Sequence, residues 1–99
     1  MERQTGFIIW YRLDGKTPVE RTRFNRSFLG YVDRSQYRKF SYSRKGFMSG
    51  IPNIHAMNSL FIIRHGDLEK VKVFCDQHGV KLFSREVILI QSDVEAFGI

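Results

Sequence analysis

Hydrophobic and polar positions alternate at the start of the chain in the pattern of a β-strand. Residues 6–13 read GFIIWYRL and are rich in the β-branched and aromatic residues that strands favour. On a strand, one face carries Phe7, Ile9, Tyr11 and Leu13, and the other carries Ile8, Trp10 and Arg12. The Asp-Gly pair at residues 14–15 predicts a turn directly after this strand.

The next segment carries the signals of a helix start. Residues 17–20 read TPVE, which combines a hydroxyl at the N-cap, a proline at the first helical position and a glutamate three residues after the cap. A helix is therefore predicted over residues 17–29, with Gly30 as its stop. Its expected buried stripe consists of Val19, Phe24, Phe28 and Leu29.

Two further strands are predicted in the middle of the chain. Residues 37–43 (YRKFSYS) alternate, but neither face is plainly apolar, which is typical of an edge strand or of a strand whose aromatic side chains serve a ligand. Residues 44–57 contain two glycines and a proline and predict a long connection. Residues 58–64 (NSLFIIR) hold an unbroken apolar run that favours a central, buried strand.

The last third of the chain predicts a helix, a strand and a short helix. The helix covers residues 68–78, with Asp67 as its cap and a glycine as its stop. Residues 80–91 (VKLFSREVILIQ) predict a final strand, either in one piece with a bulge near residues 84–85 or as a tight hairpin. Residues 92–95 (SDVE) repeat the capping-box spacing and predict a short C-terminal helix.

The predicted order of elements is β-α-β-β-α-β, which is the order of a ferredoxin-like fold. Such an α+β fold has a four-stranded antiparallel sheet with two helices on one face. The other face of the sheet is then open to solvent or to a partner. A chain of 99 residues suits a single domain over residues 1–99 that buries one core.

Positive charge is concentrated in one third of the chain. Residues 16–45 hold nine basic residues against two acidic ones, which gives +7, whereas the whole chain carries +6. The other residues are close to neutral, with seven basic and eight acidic side chains. Because neutral surfaces normally mix the two signs, this concentration favours a polyanionic partner, and nucleic acid is the expected one.

The basic side chains of this stretch are the predicted phosphate contacts, because the planar fork of arginine fits phosphate oxygens. They are Arg21, Arg23 and Arg26 on the helix, followed by Arg38, Lys39, Arg44 and Lys45. The predicted base-stacking side chains are Tyr37, Phe40, Tyr42 and Trp10. Exposed aromatic rings suit unstacked bases, so RNA or single-stranded DNA is favoured over duplex DNA. The alternative interpretation is a solvated helix face, a polar edge strand and aromatic side chains that fill the core.

Residues 44–47 (RKGF) resemble the opening of the RNP1 motif of RNA-recognition domains, which share the ferredoxin-like fold. The resemblance covers four residues and implies contacts with RNA there. The motif continues with a small, an aromatic and an aliphatic residue, whereas Met48, Ser49 and Gly50 follow in this chain.

A metal-dependent nuclease is the alternative enzymatic interpretation. Asp14 closes the first strand and arginines follow on the next helix, an arrangement similar to that of the small Cas2-like family. That resemblance implies a metal bound by Asp14 across a dimer interface. The order of elements departs from that family after the second strand, and only Glu20 and Asp33 lie nearby as further carboxylates. Because aspartate before glycine commonly forms a turn, the sequence favours binding over catalysis.

No cofactor and no metal centre are predicted. Cys75 and His78 lie one helical turn apart, but neither His55 nor His65 belongs to a second pair at zinc spacing. A lone cysteine excludes an intrachain disulfide, and no apolar run is long enough to span a bilayer. A cytoplasmic location without membrane contact is therefore expected.

A structural or oligomerisation domain is the remaining interpretation. An open sheet face pairs with a second copy in many small domains, and a homodimer is the assembly expected in that case. Ile8, Trp10 and Phe47 are the predicted interface anchors, since large apolar side chains dominate the energetics of interfaces.

Overall fold

The structure is a computed structural model that describes residues 3–34 and 41–99. The described residues form six strands and three helices. In chain order these are β1 (Thr5–Arg12), α1 (Pro18–Leu29), β2 (Gly30–Arg34), β3 (Ser41–Lys45), β4 (Asn53–Met57), β5 (Leu60–Arg64), α2 (Leu68–Gln77), β6 (Lys81–Ile88) and α3 (Gln91–Phe97). Short 3-10 turns cover Phe47–Gly50 and His65–Asp67.

The chain divides into two compact units. The hairpin unit is Gly15–Ile51 and contains α1, β2 and β3. The sheet unit consists of Met1–Asp14 and Pro52–Ile99 and contains the other strands and helices. A single domain over residues 1–99 stays a prediction.

The sheet unit is built on a four-stranded antiparallel sheet with the strand order β4-β5-β1-β6. In the pairing of β1 with β5, Ile9 lies opposite Phe61 and Phe7 lies opposite Ile63. Ile9, Tyr11, Phe61 and Ile63 are buried, so the predicted apolar face of β1 is a core face. The predicted central position of the strand in residues 58–64 is confirmed, because β5 lies between β4 and β1 and buries Phe61 and Ile63. The strand begins only at Leu60, since Asn58 and Ser59 form a turn. The protein therefore belongs to the α+β class.

The helix α2 begins and ends close to the predicted residues, and it buries Val71 and Cys75. Asp67 occupies the N-cap position as predicted, but its side chain makes no capping hydrogen bond. Its carboxylate instead accepts a hydrogen bond from Arg64 Nε at 2.8 Å. Asp67 is only 4% exposed, so this ion pair satisfies a buried charge.

The last strand and helix settle two open expectations. β6 pairs with β1 without interruption from Lys81 to Ile88, so residues 80–91 form neither a bulge nor a hairpin. The short C-terminal helix is present as Gln91–Phe97, slightly earlier than the spacing of SDVE predicted. Asp93 Oδ2 accepts a hydrogen bond from the Ile90 N–H at 3.2 Å and so stabilises the first turn.

In the hairpin unit, the predicted capping box at the start of α1 is confirmed. Thr17 Oγ1 accepts a hydrogen bond from the Glu20 N–H at 3.2 Å, and Glu20 Oε1 accepts one from the Thr17 N–H at 3.0 Å. These reciprocal bonds satisfy two amide groups that the first turn otherwise leaves without a partner in the helix. The helix ends at Leu29, and the predicted stop Gly30 is its C-cap residue, with a φ of 82°.

The predicted buried stripe of α1 is only half correct. Phe24 and Phe28 are buried, and their rings stack at a centroid distance of 5.3 Å. Val19 is 66% exposed and Leu29 is 37% exposed. Each residue turns the helix by about 100°, so neither Val19 nor Leu29 shares the narrow face on which residues four apart align.

The segment after α1 differs most from the sequence-based prediction. β2 was not predicted, and it pairs with β3 as an antiparallel hairpin in which Gly30 lies opposite Lys45. Only residues 41–43 of the predicted strand 37–43 lie within the described part of the chain, and β3 continues to Lys45. The predicted connection over 44–57 is wrong, since it holds the end of β3, a 3-10 turn and β4.

None of the helices in the described ranges has both the length and the apolar character needed to cross a membrane. The expected cytoplasmic location stays a prediction.

Candidate nucleic-acid interface

The division into two units follows the division of charge in the sequence. Residues 15–51 include all nine basic and both acidic residues counted in the basic stretch, so the sequence of the hairpin unit carries +7. The sequence of the sheet unit carries seven basic and eight acidic residues. The positive charge of the protein therefore resides in the smaller unit.

An open groove of about 760 Å³ lies between α1 and the hairpin, inside the hairpin unit. The helix lines it with Pro18, Val19, Thr22, Arg23, Arg26 and Ser27, and the hairpin lines it with Tyr31, Arg44 and Lys45. The helical residues recur every three or four positions, so they occupy one face of α1. The groove thus brings together four predicted phosphate contacts, two from the helix and two from the hairpin.

The groove keeps most of its positive charge. Arg44 Nη2 lies 3.3 Å from Asp33 Oδ2, and both side chains are about half exposed, so this ion pair is weak. Neither Arg23 nor Lys45 forms an ion pair with any residue that the structure describes. Glu20 is committed to the capping box, and the hydrogen bonds from Thr17 are the main reason why its pKa is lowered below the ordinary 4.5. The nearby charges of Lys16 and Arg23 lower the Glu20 pKa further.

Tyr31 is a groove residue that sequence reasoning missed as a site. Its ring lies under the guanidinium of Arg26, with 4.7 Å between the guanidinium carbon and the ring centroid. Across the hairpin, Tyr31 lies opposite Arg44. In the sequence, Tyr31 is an aromatic residue between cations, which is typical of a base-stacking site. It was not selected because no strand was predicted at residues 30–34.

The other predicted phosphate and stacking residues are less informative. Arg21 does not line the groove, and its Nε donates a hydrogen bond to the Lys16 carbonyl at 3.2 Å. Tyr42 lies on β3 opposite Asp33. The remaining candidates lie outside the described residues, namely Tyr37, Arg38, Lys39 and Phe40.

The segment that resembles the RNP1 opening lies at the end of the hairpin and not in the four-stranded sheet. Arg44 and Lys45 end β3, and Phe47 begins the 3-10 turn. The Phe47 ring stacks on Phe28 at a centroid distance of 6.2 Å, inside the hairpin unit. Its predicted role as an anchor on the open sheet face is therefore wrong, because Phe47 is not part of that sheet.

Trp10 lies in the sheet unit, where its ring stacks on Phe83 at a centroid distance of 5.6 Å. Together with Ile8 it lines a shallow depression of about 560 Å³, which Met57, Ser59 and Leu60 complete. None of these five side chains is basic. Trp10 therefore lies against apolar side chains of the sheet unit, and Lys81 Nζ lies 5.3 Å from the centroid of the Phe83 ring on which Trp10 stacks.

Asp14 forms an exposed ion pair with Arg12, with 2.8 Å between Asp14 Oδ2 and Arg12 Nη2. Within the described ranges, no group of three or more histidine, cysteine, aspartate or glutamate side chains is arranged to hold a metal ion. The resemblance to a nuclease thus gains no cluster of three ligand side chains from the described part of the chain.

Cys75 is buried in the core of the sheet unit, and His78 contacts Phe74. Burial is the main reason why the pKa of the Cys75 thiol is raised to about 11, and the charge of Asp76 raises it further. The thiol is therefore protonated at neutral pH. The His78 ring stacks on Phe74, and its Nδ1 lies 2.9 Å from the Phe74 carbonyl oxygen.

Comparison of the chain with protein-family models, with curated proteins and with solved structures finds no match.

Proposed function

We propose that this protein binds nucleic acid through the groove between α1 and the β2–β3 hairpin, with RNA or single-stranded DNA as its ligand. The observation that carries the proposal is the convergence of Arg23, Arg26, Arg44 and Lys45 on one open groove. Only one carboxylate, Asp33, is paired with these four cations among the described residues. Such an arrangement leaves net positive charge for phosphate groups.

The chemistry of the groove fits a strand with phosphates on one side and bases on the other. Three of the four cations are arginines, whose planar forks donate paired hydrogen bonds to phosphate oxygens. Pro18, Val19 and Tyr31 add apolar and aromatic surface beside these charges. A mixture of cations and exposed rings is typical of proteins that bind single strands with limited sequence discrimination.

We further propose that the fold is ferredoxin-like with the β2–β3 hairpin inserted after α1. In chain order, β1 leads through α1 to β4, and β5 lies between these two strands in the sheet. Likewise, β5 leads through α2 to β6, and β1 lies between that pair. Two crossover connections that are each split by an antiparallel strand support the predicted split βαβ arrangement.

A matched pair of double variants tests the proposed binding. Arg23→Gln/Lys45→Gln removes one cation from the helix and one from the hairpin, and neither side chain has an ion pair with a described residue. We expect fluorescence anisotropy with a labelled single-stranded oligonucleotide at low salt to show roughly tenfold weaker binding or more, because hydrogen bonds to charged groups are lost.

The control is Lys72→Gln/Arg85→Gln, which changes the net charge equally at two exposed positions of the sheet unit. We expect it to bind within about twofold of the wild type if the contacts are local to the groove. Equal losses of affinity in the two double variants would show that binding depends on net charge alone and not on the groove. Absence of binding by the wild type to single-stranded RNA, single-stranded DNA and duplex DNA would refute the proposal.

The depression around Trp10 favours a second candidate function, self-association of the sheet unit. Ile8, Trp10 and Leu60 give it an apolar lining, and Met57 at its edge is 61% exposed. Burying such a surface against a second copy stabilises a dimer, and aromatic side chains are frequent anchors. Light scattering over a concentration series tests this: a dimer that Trp10→Ala converts to a monomer supports it, and a monomeric wild type removes it.

The nuclease alternative stays a prediction without a favouring observation.

A further inference from the structure

We infer that Tyr31, held under Arg26, is the stacking platform for one unpaired base, and that it makes the groove select single strands over duplexes. This inference rests on the proposed function, because it assigns a role in binding to a residue of the same groove. It goes beyond charge, since a ring that stacks on bases distinguishes ligands that carry the same phosphates.

The position of Tyr31 is the first argument. It is the second residue of β2, and 38% of its surface is exposed although it lines the groove. Because the Arg26 guanidinium covers one face of the ring, the flat ligand of this proposal stacks on the opposite face. Stacking of a base on such a ring is tolerant of sequence, because every base presents a π-face.

The surroundings of the ring are the second argument. The Arg26 guanidinium carbon lies 4.7 Å from the ring centroid, a cation–π distance that restrains the ring. The planar guanidinium is itself a surface on which bases stack in RNA complexes. Arg44 lies opposite Tyr31 in the hairpin, so cations from two elements lie beside the ring and can neutralise the phosphates next to the stacked base.

The selectivity follows from the geometry of nucleic acids. A base inside a duplex is stacked on both sides, so its face is not available to a protein ring unless the duplex opens. An unpaired base needs no such opening, and its stacking on Tyr31 adds to the phosphate contacts. A thymidine octamer should therefore bind more tightly than the same octamer built with abasic sites, although the number of phosphates is identical.

Anisotropy titrations with these two octamers, using the wild type, Tyr31→Val and Tyr31→Phe, test the inference. Valine removes the ring but suits a strand, so the hairpin should persist, which circular dichroism checks. We expect Tyr31→Val to weaken binding of the thymidine octamer roughly 5- to 150-fold and to change binding of the abasic octamer less than about twofold. Tyr31→Phe should bind both octamers like the wild type.

The outcomes separate this inference from the proposed function. Salt-dependent binding of the thymidine octamer that Tyr31→Val leaves unchanged, or an equal loss on both octamers, would overturn the stacking role while phosphate binding stands. If Tyr31→Val does not fold, the wild type decides alone, because equal affinity for the two octamers contradicts the inference. If the wild type binds neither octamer, the stacking role is overturned, and the proposed function is refuted once single-stranded RNA also fails to bind.

Discussion

At the scale of single residues, Gly30 and Gly46 allow a close backbone approach within the hairpin unit. Gly30 has a φ of 82°, a backbone conformation that residues other than glycine rarely adopt. A Cβ on Gly30 would also lie 2.8 Å from the Gly46 nitrogen, and a Cβ on Gly46 would lie 2.7 Å from the Phe28 carbonyl oxygen. The end of α1 and the end of β3 therefore approach each other more closely than side chains allow. This approach brings the cations of the helix and the hairpin into one groove.

Gly30→Ala should destabilise the protein by about 2 kcal/mol or more, because it combines a strained φ with a backbone clash. Gly50→Ala is the control, since a Cβ there meets nothing within 4 Å and no positive φ is involved. We expect the control to stay within about 0.5 kcal/mol of the wild type in urea unfolding. Equal stabilities of the two variants would show that the close approach at Gly30 is not needed.

The raised pKa of Tyr11 predicts that the stability of the folded protein depends on pH. Burial, with a smaller contribution from Cys75, raises its pKa to about 12 from the ordinary 10.0. The folded state therefore favours the neutral phenol, a contribution that is complete below pH 10 and is lost as the pH rises towards 12.

Between these pH values the free energy of unfolding of the wild type should fall by up to about 2–3 kcal/mol more than that of Tyr11→Phe. Urea unfolding at pH 9 and pH 11.5 measures the difference, and any effect of the lost hydroxyl that does not depend on pH cancels. Parallel curves for the two proteins would mean that Tyr11 ionises in the folded state like an exposed phenol.

At the scale of elements, the sequence predicted what is decided locally. The start of α1 depends on residues 17–20, which lie within one turn, and these hydrogen bonds form as expected. The β2–β3 hairpin depends on pairing between segments about a dozen residues apart, which no local pattern reports. β2 was not predicted, because a glycine at the end of a helix does not by itself indicate that a strand begins at the same residue.

The same limit explains why the groove was predicted only in part. The sequence predicted its four cations as phosphate contacts but not their convergence, because Arg44 and Lys45 are placed by the pairing of β3 with β2, and this pairing was not predicted. Tyr31 was missed for the same reason. Residue types are readable from the sequence, whereas their juxtaposition depends on a pairing that is set over a longer distance.

The buried face of α1 gives a prediction for this element. Phe28→Ala should cost about 3–5 kcal/mol, since the side chain is fully buried and stacked on two other rings. Val19→Ala should change the free energy of unfolding by less than about 0.5 kcal/mol, because Val19 is mostly exposed. Chemical denaturation compares the two, and a large cost at Val19 would instead support the stripe that the sequence predicted.

At the scale of the whole molecule, charge and architecture coincide. The hairpin unit carries +7 in its sequence, whereas the sheet unit is nearly neutral. Phosphate binding concentrated in one unit should therefore depend on salt through a small number of cations. Each phosphate contact on a single strand contributes about 0.7 to the slope of log K against log salt.

The salt dependence of binding to a single-stranded oligonucleotide is the most direct test that the helix and the hairpin form one phosphate-binding groove. Four groove cations predict a wild-type slope of about −2.8 or steeper. Arg23→Gln and Lys45→Gln should each make it shallower by about 0.7, and the double variant by about 1.4, whereas Lys72→Gln/Arg85→Gln should leave it unchanged. A slope that the groove variants leave unchanged, or that the control reduces as much, would contradict the account.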